Sequence, residues 1–214
     1  MSDYLHISNR ERWQEIWQKL KAPSIPFDVF AQLIRAYSLP SRFYHNLEHI
    51  NDCICLFTQT QFLANHPEEI ELAIWFHDAV YNTKRNDNEN KSSQWAQRVI
   101  LRSGLDRAIA QRISALIKAT GHQMAVTDRD AQLLVDVDLS ILGREDAVFW
   151  QYEENIRKEY SWVPLEIFQR KRVEILGQFL TRQHIYYLSE YREMFEEKAR
   201  TNLRQAIARL SSQI

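Results

Sequence analysis

Glycine and proline are both scarce, with 4 and 5 copies in 214 residues. Turn-rich β architectures generally need more of each, so their shortage argues against a sandwich or barrel. Cysteine is scarcer still. Cys53 and Cys55 lie two apart in an apolar stretch, with no second pair to complete a zinc or redox motif. They read as buried thiols in a reducing compartment. Neither sign of charge is in excess: 27 basic and 28 acidic residues give a formal charge of -1. No global field draws the chain to nucleic acid or an anionic membrane, so neither is expected as a partner, and any phosphate must be gripped locally. No apolar run approaches the ~20 residues of a membrane span. The stretch from Met1 to Trp13 turns charged at once, unlike a secretion signal. A cytoplasmic protein is the expectation.

Helical signals fill the chain. Ser8 and Glu11 form a capping box, followed at helical spacing by Trp13, Ile16, Trp17 and Leu20 until Pro23 and Pro26. A second helix is expected from Asp28 to Tyr37. After Pro40, Leu47, Ile50, Ile54 and Phe57 mark a third, and Pro67 opens a fourth that the pattern carries to Tyr81. Asn82 to Asn88 is polar and reads as a surface loop. Helices follow at about 89–102 and 106–120, closed by Gly104 and Gly121. Two more flank Gly143, at about 129–142 and 145–160. Another starts at Pro164, and a charged amphipathic helix runs from about Glu190 to Leu210. With no repeat and no linker, the expectation is one all-α domain spanning residues 1–214.

Several charged residues sit where apolar ones belong. From Leu72 onward the fourth helix is apolar around its circumference, yet it contains His77 and Asp78. A carboxylate in such surroundings costs several kcal/mol unless something positive compensates it, and a metal ion does this well. Asp136 and Asp138 interrupt the apolar run L-L-V-D-V-D-L-S-I-L in the same way. Two residues apart on a helix, they point about 200° away from each other, so one is a ligand candidate and the other a candidate partner for an arginine. In Y-H-N-L-E-H-I-N-D, His45 and His49 are four apart and share a face if the helix already includes position 45. Asn46 and Glu48 between them read as capping or solvated. Neutral imidazole with carboxylate suits Mn, Fe, Co, Ni or Zn, and Mg where oxygen ligands dominate.

The succession of His49, the doublet His77-Asp78 and a later aspartate on separate helices resembles the HD superfamily of metal-dependent phosphohydrolases, an all-α family. The resemblance implies a metal site of His49, His77, Asp78 and Asp138; the step Val137-Asp138-Leu139 resembles the family's downstream aspartate and so favours Asp138 over Asp136. Y-H-N-L-E-H also resembles a motif of cyclic-nucleotide phosphodiesterases, which implies that His45 is the general acid. Together with W-F-H-D-A-V-Y, N-E-x-x-S at Asn88 to Ser92 and D-L-S-I-L-G at Asp138 to Gly143, the likeness is to small stand-alone HD hydrolases. It implies one divalent transition metal, with two as the alternative, and a small phosphorylated substrate such as a nucleotide.

Three further residues are weaker substrate-binding candidates. His122 follows Gly121 at a helix end, where it suits a phosphate, a second metal or simply an exposed loop. Glu89 opens a helix, where it activates water, sits behind a ligand or complements the helix dipole. Lys84, beside Arg85, lies on a loop that could close over a phosphate, while Arg170, Lys171 and Arg172 form a second basic cluster. The functional expectation is a metal-dependent phosphohydrolase. Its competitors are a di-iron oxygenase of the same superfamily and a non-catalytic scaffold or nucleotide-sensing module stabilised by metal. Oligomeric state is left open by the sequence.

Overall fold

The computed structural model describes residues 2–122 and 126–212, and among these it is all-helical, with no strand. No helix is long and apolar enough to cross a membrane. The chain divides into two compact units, one of residues 1–40 and 45–134, the other of residues 41–44 and 135–214.

The first unit carries α1 (Ser2–Lys19), α2 (Phe27–Tyr37), α3 (Leu47–Thr60), α4 (Pro67–Phe76), α5 (Asn88–Arg102), α6 (Arg107–Ala119) and the start of α7 (Arg129–Leu139). Helix α1 begins before Ser8, so the capping box expected to start it falls inside it. The aromatic periodicity of α1 does what it foretold. Trp13 and Trp17 are fully buried, and the Trp13 ring lies 5.8 Å from Phe30 of α2 and 6.0 and 6.1 Å from Trp75 and Phe76 of α4. Such offset and edge-on packing adds about 1 kcal/mol per pair to what burial already contributes. Tyr37, also buried, donates its hydroxyl to the Trp75 carbonyl at 3.0 Å, which ties the end of α2 to α4.

Glycine closes α5 as expected. Gly104 has φ +81, the left-handed conformation that ends a helix, and a side chain there would meet Pro23 at 2.9 Å. The two cysteines are free thiols, but only Cys53 is buried; Cys55, on the opposite face of α3, is exposed.

The second unit holds the rest of α7, a short 3₁₀ turn (Ser140–Gly143), α8 (Asp146–Glu159), α9 (Leu165–Thr181), α10 (Ser189–Tyr191), a π-helical turn (Arg192–Glu196) and α11 (Glu197–Ser211). The expected helix over 129–142 therefore tightens after Leu139. Gly143 makes this turn workable, because a Cβ there would stand 2.6 Å from Phe195 Cβ and 2.7 Å from the Phe195 carbonyl oxygen. Asn202, fully buried, donates to the carbonyls of Leu142 and Arg144 at 2.8 Å each, replacing the partners those groups lose where the helix stops. Tyr186, Tyr191 and Phe195 pack with ring centroids 5.9 to 6.4 Å apart.

Candidate functional site

The first turn of α3 is set by Asn46, whose Oδ1 accepts the backbone N–H groups of Glu48 at 2.9 Å and His49 at 3.2 Å. This is an N-cap, and it settles where the helix begins. His45 consequently lies one residue before the cap and not on the helix, so it does not share a helical face with His49 in the way their spacing allowed. The two rings are nevertheless neighbours, 6.1 Å apart. His49 is carried inward on the first turn of α3 and is 5% exposed.

Helix α4 ends at Phe76, five residues before the end the sequence predicts, so His77 and Asp78 follow the helix and do not sit in its middle. The apolar run continues because the chain stays buried after the helix stops, and burial is what such a run reports. The backbone is redirected by side chains. His77 Nδ1 lies 2.8 Å from the Ile74 carbonyl, and Ser92 Oγ of α5 accepts the Val80 N–H at 3.0 Å.

That Ile74 contact fixes the chemistry of His77. A carbonyl oxygen only accepts, so Nδ1 carries the proton, and in the neutral ring Nε2 presents a lone pair. His77 Nε2 faces Asp78 Oδ2 at 3.0 Å and His49 Nε2 at 3.2 Å, and His49 Nε2 stands 3.8 Å from the same carboxylate oxygen. Two nitrogens and a carboxylate oxygen thus converge. Donors ~2.1 Å from a common ion stand roughly 3.0 Å apart in octahedral and 3.4 Å apart in tetrahedral arrangement, which matches the separations of 3.0 and 3.2 Å, while the 3.8 Å between His49 and Asp78 is wider. His77 is 2% exposed, so solvent does little to separate its lone pair from the carboxylate. Such a group could hold a divalent cation: Asp78 would offset its charge, both imidazoles would offer a nitrogen, and His77 is already oriented by a backbone carbonyl, a usual partner of metal-binding histidines.

No protein-family model matches the chain, and neither the curated proteins nor the solved structures contain a match. What the site can do therefore rests on its own geometry.

The remaining candidates fall into place around this group or away from it. His45, half-buried, stacks on Tyr81 with ring centroids 4.2 Å apart and planes 26° from parallel. His122 takes a left-handed φ of +54 at the end of α6. A side chain on Gly121 would touch Glu89 Cδ at 3.6 Å, so Glu89, in the first turn of α5, lies against the helix end that His122 follows. Lys84 is exposed on its loop, where its backbone N–H donates to Asn82 Oδ1. Arg85 beside it is forked onto Asp87 at 2.6 and 2.7 Å. The cluster at 170–172 is not a free basic patch either: Arg170 pairs with Glu166, Lys171 with Glu174, and the buried Arg172 with Glu153 and the Tyr152 hydroxyl.

Asp138 and Asp136 lie in the second unit. Asp138 is half-buried in the last turn of α7. Burial holds the Tyr152 phenol above its ordinary range, with the charges of Glu153 and Asp138 acting in the same direction. Asp136 is fully buried, and its hydrogen bonds come from the backbone N–H groups of Tyr187 at 2.8 Å and Leu188 at 2.7 Å, while the charge of Arg192 also favours the carboxylate. Burial still pushes its carboxyl up to about 7. Its place inside an apolar run is explained by a loop it holds.

Two neighbours of the site escaped the sequence reading. Tyr81 stacks on His45, which no spacing rule foretells because neither residue is on a helix. Cys53, whose sulfur lies 3.7 Å from His49 Nδ1, was in principle legible, being one helical turn beyond His49.

Proposed function

We propose that this protein is a metal-dependent phosphohydrolase acting on a nucleotide or another small phosphoester. The observation that carries the reading is the convergence of His49 Nε2, His77 Nε2 and Asp78 Oδ2 at 3.0 to 3.8 Å in buried surroundings. Asp138 is assigned as the fourth ligand. The likeness of the Val137-Asp138-Leu139 step to the downstream aspartate of the HD superfamily is what supports this assignment. Mixed nitrogen and oxygen donors suit Mn, Fe, Co, Ni or Zn, with Mg less well served by two imidazoles.

A divalent ion held by these residues would supply Lewis acidity toward a phosphoryl oxygen and would make a bound water more acidic. The chain's own groups supply the rest. Asp78 offsets positive charge, and the Ile74 carbonyl keeps the proton of His77 on Nδ1, so that Nε2 stays available. His45, next to this group and held against Tyr81, is assigned as the proton donor to the leaving alkoxide. The two free thiols fit a reducing, cytoplasmic setting.

The test is metal analysis of the purified protein, then assay of nucleotides and generic phosphodiesters with Mn, Co, Ni, Zn and Mg. Turnover with at least one metal, reduced in His45→Ala while metal content is unchanged, is the expected result. No turnover with any metal would reduce the site to a structural one, and iron with a mixed-valence near-infrared band would move the assignment to an oxygenase.

A further inference from the structure

Between the end of α4 and the start of α5 the chain passes through Val80, Tyr81 and Asn82, outside any helix. The two residues flanking Tyr81 are each gripped at both backbone polar groups by one α5 side chain. Ser92 Oγ accepts the Val80 N–H at 3.0 Å and lies 3.3 Å from the Val80 carbonyl, to which it donates. Asn88 Oδ1 accepts the Asn82 N–H at 3.1 Å, and its Nδ2 donates to the Asn82 carbonyl, also at 3.1 Å. Asn88 and Ser92 are four apart, so one face of α5 delivers both grips. Ser92 is fully buried, which makes its two bonds the stronger constraint.

The residue bracketed in this way stacks its ring on His45 at 4.2 Å. His45 itself precedes the N-cap of α3 and has no helix to hold it. We infer that Tyr81 is a positioning residue for His45, and that the paired grips of Asn88 and Ser92 on Val80 and Asn82 exist to hold this aromatic platform in place. The chain of support runs from α5 through the backbone of the turn to the Tyr81 ring and then to the imidazole. It gives Asn88 and Ser92 a job that needs no contact with substrate. The proposal rests on the proposed function only for the catalytic importance of His45; the stacking itself is independent of any reaction.

Histidine ring NMR of the full chain separates the two. A tyrosine ring stacked at this distance shifts the His45 ring protons upfield by its ring current, and His45→Ala assigns that signal among the seven histidines. The upfield shift is expected to persist in Tyr81→Phe, to vanish in Tyr81→Leu, and to shrink in the double variant Asn88→Ala, Ser92→Ala. On the phosphoester turned over fastest, kcat is expected to fall about tenfold or more in Tyr81→Leu, as for a misplaced acid, with KM and metal content little changed and with rescue by Phe. A His45 signal that is the same in Tyr81→Leu as in the wild type overturns the platform, as does a Phe variant that behaves like Leu. If no phosphoester is turned over, the assignment of function fails while the NMR result still decides the platform.

Discussion

Asp136 Oδ2 accepts the backbone N–H of Leu188 at 2.7 Å, and its other oxygen takes the N–H of Tyr187 at 2.8 Å. One carboxylate thereby caps the segment that leads into α10, from a position with no exposure to solvent. Asp136→Ala would leave two amide donors without their partner, at about 1 to 3 kcal/mol each. Urea unfolding should therefore show a loss of about 3 kcal/mol. Asp136→Ala with an unchanged midpoint and slope would mean that the two amides find other partners.

That finding bears on how far the sequence could be read. Buried charge in an apolar run is visible in a sequence, but its cause is not. Asp136 and Asp78 look alike there; in the folded chain one satisfies backbone amides and the other faces two imidazoles. Helix positions were legible because burial faces recur at 3.6 residues, as the aromatic core of Trp13, Phe30 and Trp75 shows. The early end of α4 was not, since hydrophobicity reports burial whether or not the backbone stays helical. The stacking of Tyr81 on His45 joins residues 36 positions apart across two turns, beyond any local rule.

Asn46 links local stability to the site, because the side chain that caps α3 also holds the amide of His49. Asn46→Ala should lower stability by about 1 kcal/mol. Because the capped turn carries a proposed ligand, metal affinity should fall as well, and Asn46→Asp, which keeps an accepting oxygen, should restore both. Parallel thermal melts and metal titrations check this; a stability loss with unchanged affinity would show that the His49 geometry is set elsewhere.

Glu71 offers a pH test in the first unit. Burial raises its carboxyl above the ordinary range, although Arg12 binds both oxygens and pulls the other way. A carboxyl with a raised folded-state pKa binds more protons folded than unfolded. Its favourable contribution is present at low pH and is lost as pH rises through the folded value. Glu71→Gln removes this titration, so the wild type should lose stability relative to the variant as pH rises above the ordinary carboxylate range. A relative gain over that rise would mean that the Arg12 pairing outweighs burial.

Gly143 should resist substitution. A methyl group there would stand 2.7 Å from the Phe195 carbonyl oxygen, which is backbone and cannot swing aside. Gly143→Ala is expected to cost more than about 2 kcal/mol or to prevent folding, as overpacking does. Phe195→Ala in the same chain should give little rescue, and a fully rescued double variant would show that the side chain alone sets the limit.

The proposed metal centre would place a divalent ion between His49, His77 and Asp78, with Asp138 proposed as the fourth ligand. Elemental analysis of the purified protein, against His77→Ala and Asp78→Asn variants shown to be folded by circular dichroism, measures it directly. About one equivalent of a divalent transition metal in the wild type and a marked loss in both variants is the predicted result. A wild-type protein that takes up no metal on incubation with Mn, Fe, Co, Ni or Zn, or variants that keep full occupancy, would contradict it.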